Sequence, residues 1–155
     1  MNISENVKIV AAIPPQAGAA ITGDYVSLKK AGHVTVVVDI NQANAAPVAI
    51  TIEQATKVDG TGSKALANAV PIYLVADAAT SDEWVRQTDD VAFTTSAATK
   101  HKLVAFEIDA SALDVAGGFD CVTVKTAASH ADNVTQASYI LSALRYGTGS
   151  SVIVD

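Results

Sequence analysis

His33-Val34-Thr35-Val36-Val37-Val38-Asp39-Ile40-Asn41 decides how the rest of the chain is read. Val34, Val36, Val38 and Ile40 take every second position, with Thr35, Val37, Asp39 and Asn41 between them. Successive side chains of an extended strand point to opposite faces, so this period of two separates an apolar row from a mixed one. A helix would scatter the same valines around its circumference. The stretch predicts a half-buried strand. The alternation returns over residues 48–53, where Val48, Ile50 and Ile52 face inward and Thr51 and Glu53 outward. The loop between the two runs, residues 42–47, is short enough to join antiparallel neighbours.

Composition extends the reading outward. Val and Ile together number 31 against 8 for Leu and Met. β-Branched side chains suit a pleated, half-buried surface and are mildly penalised in helices. Further strands are predicted over residues 7–13, 24–28, 71–76, 83–88, 91–95, 103–109 and 120–126. Turn chemistry separates them: Asp59-Gly60-Thr61-Gly62-Ser63, Gly117-Gly118 and the polar stretch 79–82. Residues 133–146 admit two phases. As a strand, Tyr139, Leu141 and Ala143 oppose Ile140, Ser142 and Leu144; as a helix, Ala137, Ile140, Leu141 and Leu144 form one stripe. The Thr, Val, Tyr and Ile content favours strand, and a lone helix would lack a docking place in an otherwise all-β chain.

A length of 155 residues suits one domain with its own core. The expected architecture is all-β, a two-sheet antiparallel sandwich, with the jelly roll as one arrangement that fits. Residues 23–146 form the sandwich domain, 1–22 an extended N-terminal arm and 147–155 a C-terminal tail. Pro14-Pro15 is expected to keep the arm out of the domain's own sheet. Gly-Thr-Gly-Ser occurs at residues 60–63 and again at 147–150, but as turn residues rather than as a repeat.

Charge and hydropathy narrow the function classes. Uncharged apolar stretches fall short of the roughly 18 residues a spanning helix requires. Glu5, Lys8 and Pro14-Pro15 break any secretory leader. Neither a membrane partner nor export is expected, and the chain is made in the cytoplasm. Ten basic against sixteen acidic residues give a net charge of −6. The basic residues are scattered apart from Lys29-Lys30 and Lys100/Lys102, which disfavours nucleic acid as a partner. Charged residues are 17% of the chain, against about 25% in ordinary soluble domains. Part of the exterior is therefore expected to lie against another subunit.

The residues that carry chemistry do not assemble into a catalytic signature, and no enzyme, metal or cofactor is expected. Asp59 to Lys64 lacks the spacing of a phosphate loop and reads as a turn. No G-x-S-x-G occurs, and Gly149-Ser150 sits in the tail. His33, His101 and His130 are too far apart for paired ligands and read as surface residues. Asp89-Asp90, and Asp109 with Asp114, do not follow the calcium-loop pattern. Asp109 reads as a strand end and Asp114 as a support for the turn before Gly117-Gly118. Glu53 and Glu107 would form a glycosidase pair only if two strands happened to oppose them. Cys121, flanked by strand residues, reads as core filling. Trp84, with Tyr25 or Tyr73, could make a stacking platform for sugars, but a core or interface role is favoured, since one aromatic makes a poor platform. Asn2-Ile3-Ser4 and Asn133-Val134-Thr135 match the glycosylation pattern, which means little without a leader.

Four stretches resemble a group of small virion proteins encoded in tailed-bacteriophage structural clusters. They are Lys30-Ala31-Gly32-His33-Val34-Thr35; Ile52-Glu53-Gln54-Ala55-Thr56 running into Asp59-Gly60-Thr61-Gly62; Ile108-Asp109 through Leu113-Asp114 to Gly118-Phe119-Asp120-Cys121-Val122; and Tyr139-Ile140-Leu141 to Arg145-Tyr146. They span most of residues 23–146 and look like strand and turn positions that keep a fold. The resemblance implies a head-decoration or minor capsid protein that binds the major capsid protein of an assembled phage head as a homotrimer, on the virion exterior. The alternative is a tail-associated or carbohydrate-binding adhesion module.

Overall fold

The computed structural model describes residues 3–145. After one helical turn, α1 (Ile3–Asn6), the chain forms β1 (Lys8–Ala17), β2 (Ile21–Thr22), β3 (Val26–Ser27), β4 (Ala31–Asn41), β5 (Ala49–Ala55), β6 (Lys64–Ala65), β7 (Ile72–Val75), β8 (Val85–Arg86), β9 (Ala92–Thr94), β10 (His101–Asp109), β11 (Cys121–Thr126) and β12 (Val134–Leu144). A single 3-10 turn, Ala110–Ala112, follows β10. One sheet has the order β1-β12-β4-β10-β7-β8; the other is built on β2-β11-β5-β6, with β3 beside β11 and β9 beside β5. Every pairing is antiparallel. The molecule is an antiparallel β-sandwich. Taking β2 and β3 as one interrupted strand, the chain passes from β1 across to β2/β3, back to β4, and across again to β5. It ends by alternating β9, β10, β11 and β12 between the sheets. That is the jelly-roll order, with β6, β7 and β8 as an excursion between β5 and β9.

The period-two reading of β4 holds residue by residue. Val34, Val36, Val38 and Ile40 are at most 1% exposed, while the residues between them are only partly covered. Facing them across the sandwich are Ile50, Ile52, Val122 and Val124, all at 0%. The expectation that β4 and β5 are sheet neighbours is corrected, because they lie in opposite sheets. The connection does not reverse as a hairpin; its backbone is held at the end of the sandwich. Gln42 is buried and donates to the carbonyls of Ala46 (3.2 Å) and Ser96 (2.9 Å). Asn133 accepts from the Asn44 N–H at 2.7 Å and donates to the Ala46 carbonyl at 2.9 Å. Asn133 is 1% exposed, so the sequon it opens is spent on this anchor.

The N-terminal arm of residues 1–22 is also corrected. Lys8–Ala17 is a full edge strand paired with β12 from Lys8↔Leu141 to Ala17↔Val134, and Ile21–Thr22 pairs with β11. Pro14 and Pro15 are accommodated because an edge strand can turn a face without N–H groups outward, and the register shifts between Ala11/Ile13 and between Ile13/Gln16 absorb the misfit. Residues 133–146 are a strand as far as they are described. Tyr139 and Leu141 are buried at 0%, but Ala143 leaves the inward row: it has φ +50°, is exposed, and its Cβ lies opposite Gly32. Tyr146 and the tail 147–155, including Gly149-Ser150, lie outside the described residues.

Tyr139 also links the two sheets. Its hydroxyl donates to the Asp24 carbonyl at 2.7 Å and accepts from the Val124 N–H at 3.0 Å. Between the short β2 and β3, β11 has a gap in its ladder, and Gly23 closes the rest of it. The Gly23 N–H donates to Val124 O at 2.8 Å, and Thr123 Oγ1 donates to Gly23 O at 2.7 Å. A Cβ at position 23 would sit 2.9 Å from that same Val124 oxygen, so the close approach requires glycine.

Candidate functional site

The outer face of the sheet containing β4 and β10 carries the side chains left out of the core. Register fixes their rows. Tyr73, Ala105, Val37, Ser138 and Ala11 stand side by side across β7, β10, β4, β12 and β1. The next row runs Glu107, Thr35, Ile140 and Ile9, and the one after it Asp109, His33 and Ser142. At the β7–β8 end these rows enclose a cleft of about 280 Å³, lined by Thr35, Val37, Tyr73, Trp84, Ala105 and Glu107. Ala105 and Val37 make a low floor because neither reaches far from the sheet. Trp84, in the segment leading into β8, lines the cleft together with Tyr73 and is 44% exposed. Glu107 and Thr35, in the row next to that floor, line the cleft as well.

The polar wall is held by hydrogen bonds. His33 Nε2 lies 2.6 Å from Glu107 Oε2, and its Nδ1 lies 3.0 Å from Asp109 Oδ1. Thr35 Oγ1 donates to the same Glu107 oxygen at 2.8 Å. Burial on its own would lower the His33 pKa, but the hydrogen bonds to Asp109 and Glu107, with their charges, outweigh it and leave the ring easier to protonate than a free histidine. As an imidazolium, His33 donates from both nitrogens and fixes the Glu107 carboxylate at the edge of the cleft. A second histidine closes the far end of the same seam: His101 Nε2 lies 2.5 Å from Asp39 Oδ1, and Gln136 donates to the other Asp39 oxygen at 2.9 Å.

The other residues singled out from sequence fall elsewhere. Glu53 lies on β5, in the opposite sheet from Glu107, so the two cannot work as an acid pair. Burial would raise the Glu53 pKa, but hydrogen bonds from Lys125 and Ser63 hold it below the usual carboxylate value. Asp59 to Lys64 is the β5–β6 turn, with Gly60 at φ +84° and Gly62 at φ +71°, and Asp59 Oδ1 accepts the Thr61 N–H at 2.9 Å. Asp114 accepts the Gly117 N–H at 2.9 Å and pairs with Lys64 at 2.7 Å, supporting its turn as expected, and Asp109 does end a strand. Asp89 is paired with Arg86 at 3.0 Å, and His130 sits in a loop against Asp132. Cys121 is 1% exposed, and burial followed by the Asp120 carboxylate pushes its thiol up to about 12, which keeps it unreactive. Tyr25 bonds Ser63 at 2.9 Å, and Tyr73 is the tyrosine that shares a cleft with Trp84. Among the described residues, no group of three or more His, Cys, Asp or Glu is arranged to hold a metal ion, and no helix is long and apolar enough to cross a membrane.

From sequence, Tyr73 stands beside Tyr25 as a partner for Trp84 in a stacking platform, a core or interface place for Trp84 is favoured, and Glu107 and His33 belong to other chemistries. The exposure of Trp84 excludes the core. What joins these residues is strand register, which a single sequence does not print. The outward phase of Thr35, Ala105 and Glu107 was the available signal.

No protein-family model matches this chain, and no curated protein is similar to it in sequence. Among solved structures, the SPBc2 prophage-derived protein YomS is similar with a TM-score of 0.51 at 10% identity, over 92% of this chain and 97% of that one. At that identity the likeness is one of fold. Weaker likenesses are the PRD1 vertex protein, with a TM-score of 0.36, 8% identity, and coverage of 91% of this chain and 99% of that one, and a CBM4 structure, with a TM-score of 0.31, 12% identity, and coverage of 88% and 70%.

Proposed function

We propose that this chain is a non-enzymatic structural protein of a tailed-phage virion: a capsid decoration protein that binds the assembled head on its exterior, through the major capsid protein, and stabilises it. The observation that carries the reading is the β1–β12 half of the outer sheet face. Ile9 stands beside Ile140 and Ala11 beside Ser138, with no ionisable side chain among the four, and Ile9 is 55% exposed. A patch of this kind, without charge at its centre, has the composition of an interface core. The fold shared with a prophage-derived protein and the stretches that resemble virion proteins support the same reading. Self-association as a homotrimer would present the patch several times. Weak contacts then act together once a lattice holds matching sites at the right spacing, which scattered capsid subunits do not.

The test is light scattering for mass, followed by cosedimentation with empty shells and with unassembled capsid subunits. Trimeric mass and retention by shells alone are expected, with both reduced in Ile9→Asp. A monomer that ignores shells overturns the proposal. Removing residues 147–155 asks separately whether the tail contributes to the contact.

A further inference from the structure

We infer that the cleft between Trp84/Tyr73 and Glu107/Thr35 is a binding site for one pyranose ring of a neutral glycan. Three larger hollows, of about 370 to 390 Å³, open elsewhere on the surface, but none brings two aromatic side chains together. The smaller cleft has both Trp84 and Tyr73 in its lining, and the rest of the lining is chemically matched to a sugar. A pyranose has C–H faces that pack on aromatic rings and an equator of hydroxyls that need hydrogen-bond partners. Trp84 and Tyr73 offer the rings. Ala105 and Val37 form a floor of small side chains, with Ala105 itself only 6% exposed.

Glu107 and Thr35 offer the partners. His33 and Thr35 both hold Glu107 Oε2, at 2.6 and 2.8 Å. The carboxylate is thereby fixed in place, and its second oxygen is left as the acceptor for a ligand hydroxyl. At about 280 Å³ the cleft is near the small end of ligand sites, which run from about 300 Å³, and matches a single ring rather than a long chain in a tunnel. Charge sets the class. Glu107 and Asp109 together outnumber the one imidazolium between them, so an anionic sugar or phosphate is repelled. A quaternary ammonium would want aromatic rings on several sides, whereas this cleft has two and its carboxylate is already engaged by His33. Thr35 and Val37 of the cleft stand next to Ile140 and Ser138 of the shell-binding patch, but the inference is argued from the cleft's own residues and does not rest on the shell-binding reading.

Trp84 is the only tryptophan in the chain, which makes the site its own reporter. The full-length protein is titrated with maltose, cellobiose, lactose and diacetylchitobiose, and with choline chloride and sialyllactose as the cationic and anionic arms. Indole emission is followed by fluorescence and heat by calorimetry. A saturable response to at least one neutral disaccharide is expected. Trp84→Ala, read by calorimetry, should weaken that binding by at least about tenfold, as loss of a stacking ring should. Glu107→Gln should weaken it by about tenfold, as loss of a charged hydrogen-bond acceptor should. Glu53→Gln, on the other sheet, should leave it unchanged. Circular dichroism and shell cosedimentation of the same variants separate a lost site from a lost fold and from a failure of the shell reading. No saturable response to any neutral sugar overturns the inference. So does binding that survives Trp84→Ala, or a response confined to choline or sialyllactose.

Discussion

β4 and β10 run side by side from His33↔Asp109 to Asn41↔His101, and their two faces have opposite fates. On the inner face Val34, Val36, Val38 and Ile40 meet Val104, Phe106 and Ile108, none more than 1% exposed. On the outer face the same backbone carries His33, Thr35, Val37, Asp39, Ala105, Glu107 and Asp109. The inner row is uniform because each residue must fill a closed volume. The outer row is mixed because the monomer covers it only in part, Ala105 at 6% exposure being the exception, and there polar groups can pair across strands and leave a hollow over the small residues. Fold is written on one set of alternate positions, and the proposed binding surfaces draw on the other.

The comparison is most sharply broken by placing a charge on the inner face. Val36→Asp and Ile50→Asp approach the same core from opposite sheets. An unpaired carboxylate there costs several kcal/mol, against a whole-domain stability of about 5 to 15 kcal/mol. Both variants should lose their cooperative melt by circular dichroism. Thr51→Asp, on the outer side of β5 beside Lys125, should fold within about 0.5 kcal/mol of the parent. Equal tolerance at all three positions would mean that the inner and outer assignments are wrong.

One inner residue of β10 breaks the pattern. Lys102 is in phase with Val104, Phe106 and Ile108 and is 1% exposed. Its ammonium donates to Gln42 Oε1 (2.8 Å), Ser96 O (2.8 Å) and Ala98 O (2.6 Å). Burial lowers its pKa. With three oxygens gathered on it, the charge ties the loop after β4 to the one before β10. Lys102→Met keeps the aliphatic stem but leaves those acceptors short of a donor, and should cost about 1 to 3 kcal/mol in urea unfolding. Lys100→Met, two residues earlier, removes an exposed ion pair to Asp77 at 2.8 Å and should cost less than about 1 kcal/mol. If the two losses were equal, the buried ammonium would be contributing no more than a surface charge.

Tyr139→Phe is a gentler probe of the same inner face. The ring stays, but the Val124 N–H and the Asp24 carbonyl lose their shared hydroxyl. A loss of about 1 to 2 kcal/mol is expected, together with faster amide exchange at Val124 than at its neighbours in β11. Unchanged exchange at Val124 would show that the gap between β2 and β3 closes without the tyrosine.

Most of the sandwich was legible because inward rows carry a strong signal: β4, β5, β10, β11 and β12 all announce themselves through alternating valine, isoleucine or tyrosine. What failed was long-range. Pro14-Pro15 marked an arm by local rule, yet the edge of a sheet tolerates both prolines once β1 bulges. The loop 42–47 has a hairpin's length but runs between sheets, and its anchors, Asn133 and Ser96, are far away in sequence. The site was legible only in parts. Thr35, Tyr73, Trp84 and Glu107 come from four segments, and no periodicity links a tryptophan before β8 to a glutamate on β10.

The smallest expected effect lies on the outer face and is read through pH. His33 is held by Glu107 and Asp109, and its pKa in the folded protein is raised above the 6.5 of a free histidine. A raised histidine adds stability that is fully present below the unfolded value and is lost as pH rises through the folded one. The parent should therefore lose a little stability from about pH 6 upward, and His33→Gln should lack that component. The ring is 25% exposed and Asp109 74%, so solvent weakens the pairing and the difference should stay below about 1 kcal/mol. Thermal melts of both proteins between about pH 5.5 and 8 measure it, and an NMR titration of the ring assigns it to His33. If both proteins show the same pH slope, His33 is not the group responsible, and the wall of the cleft is held by hydrogen bonds that do not depend on its charge.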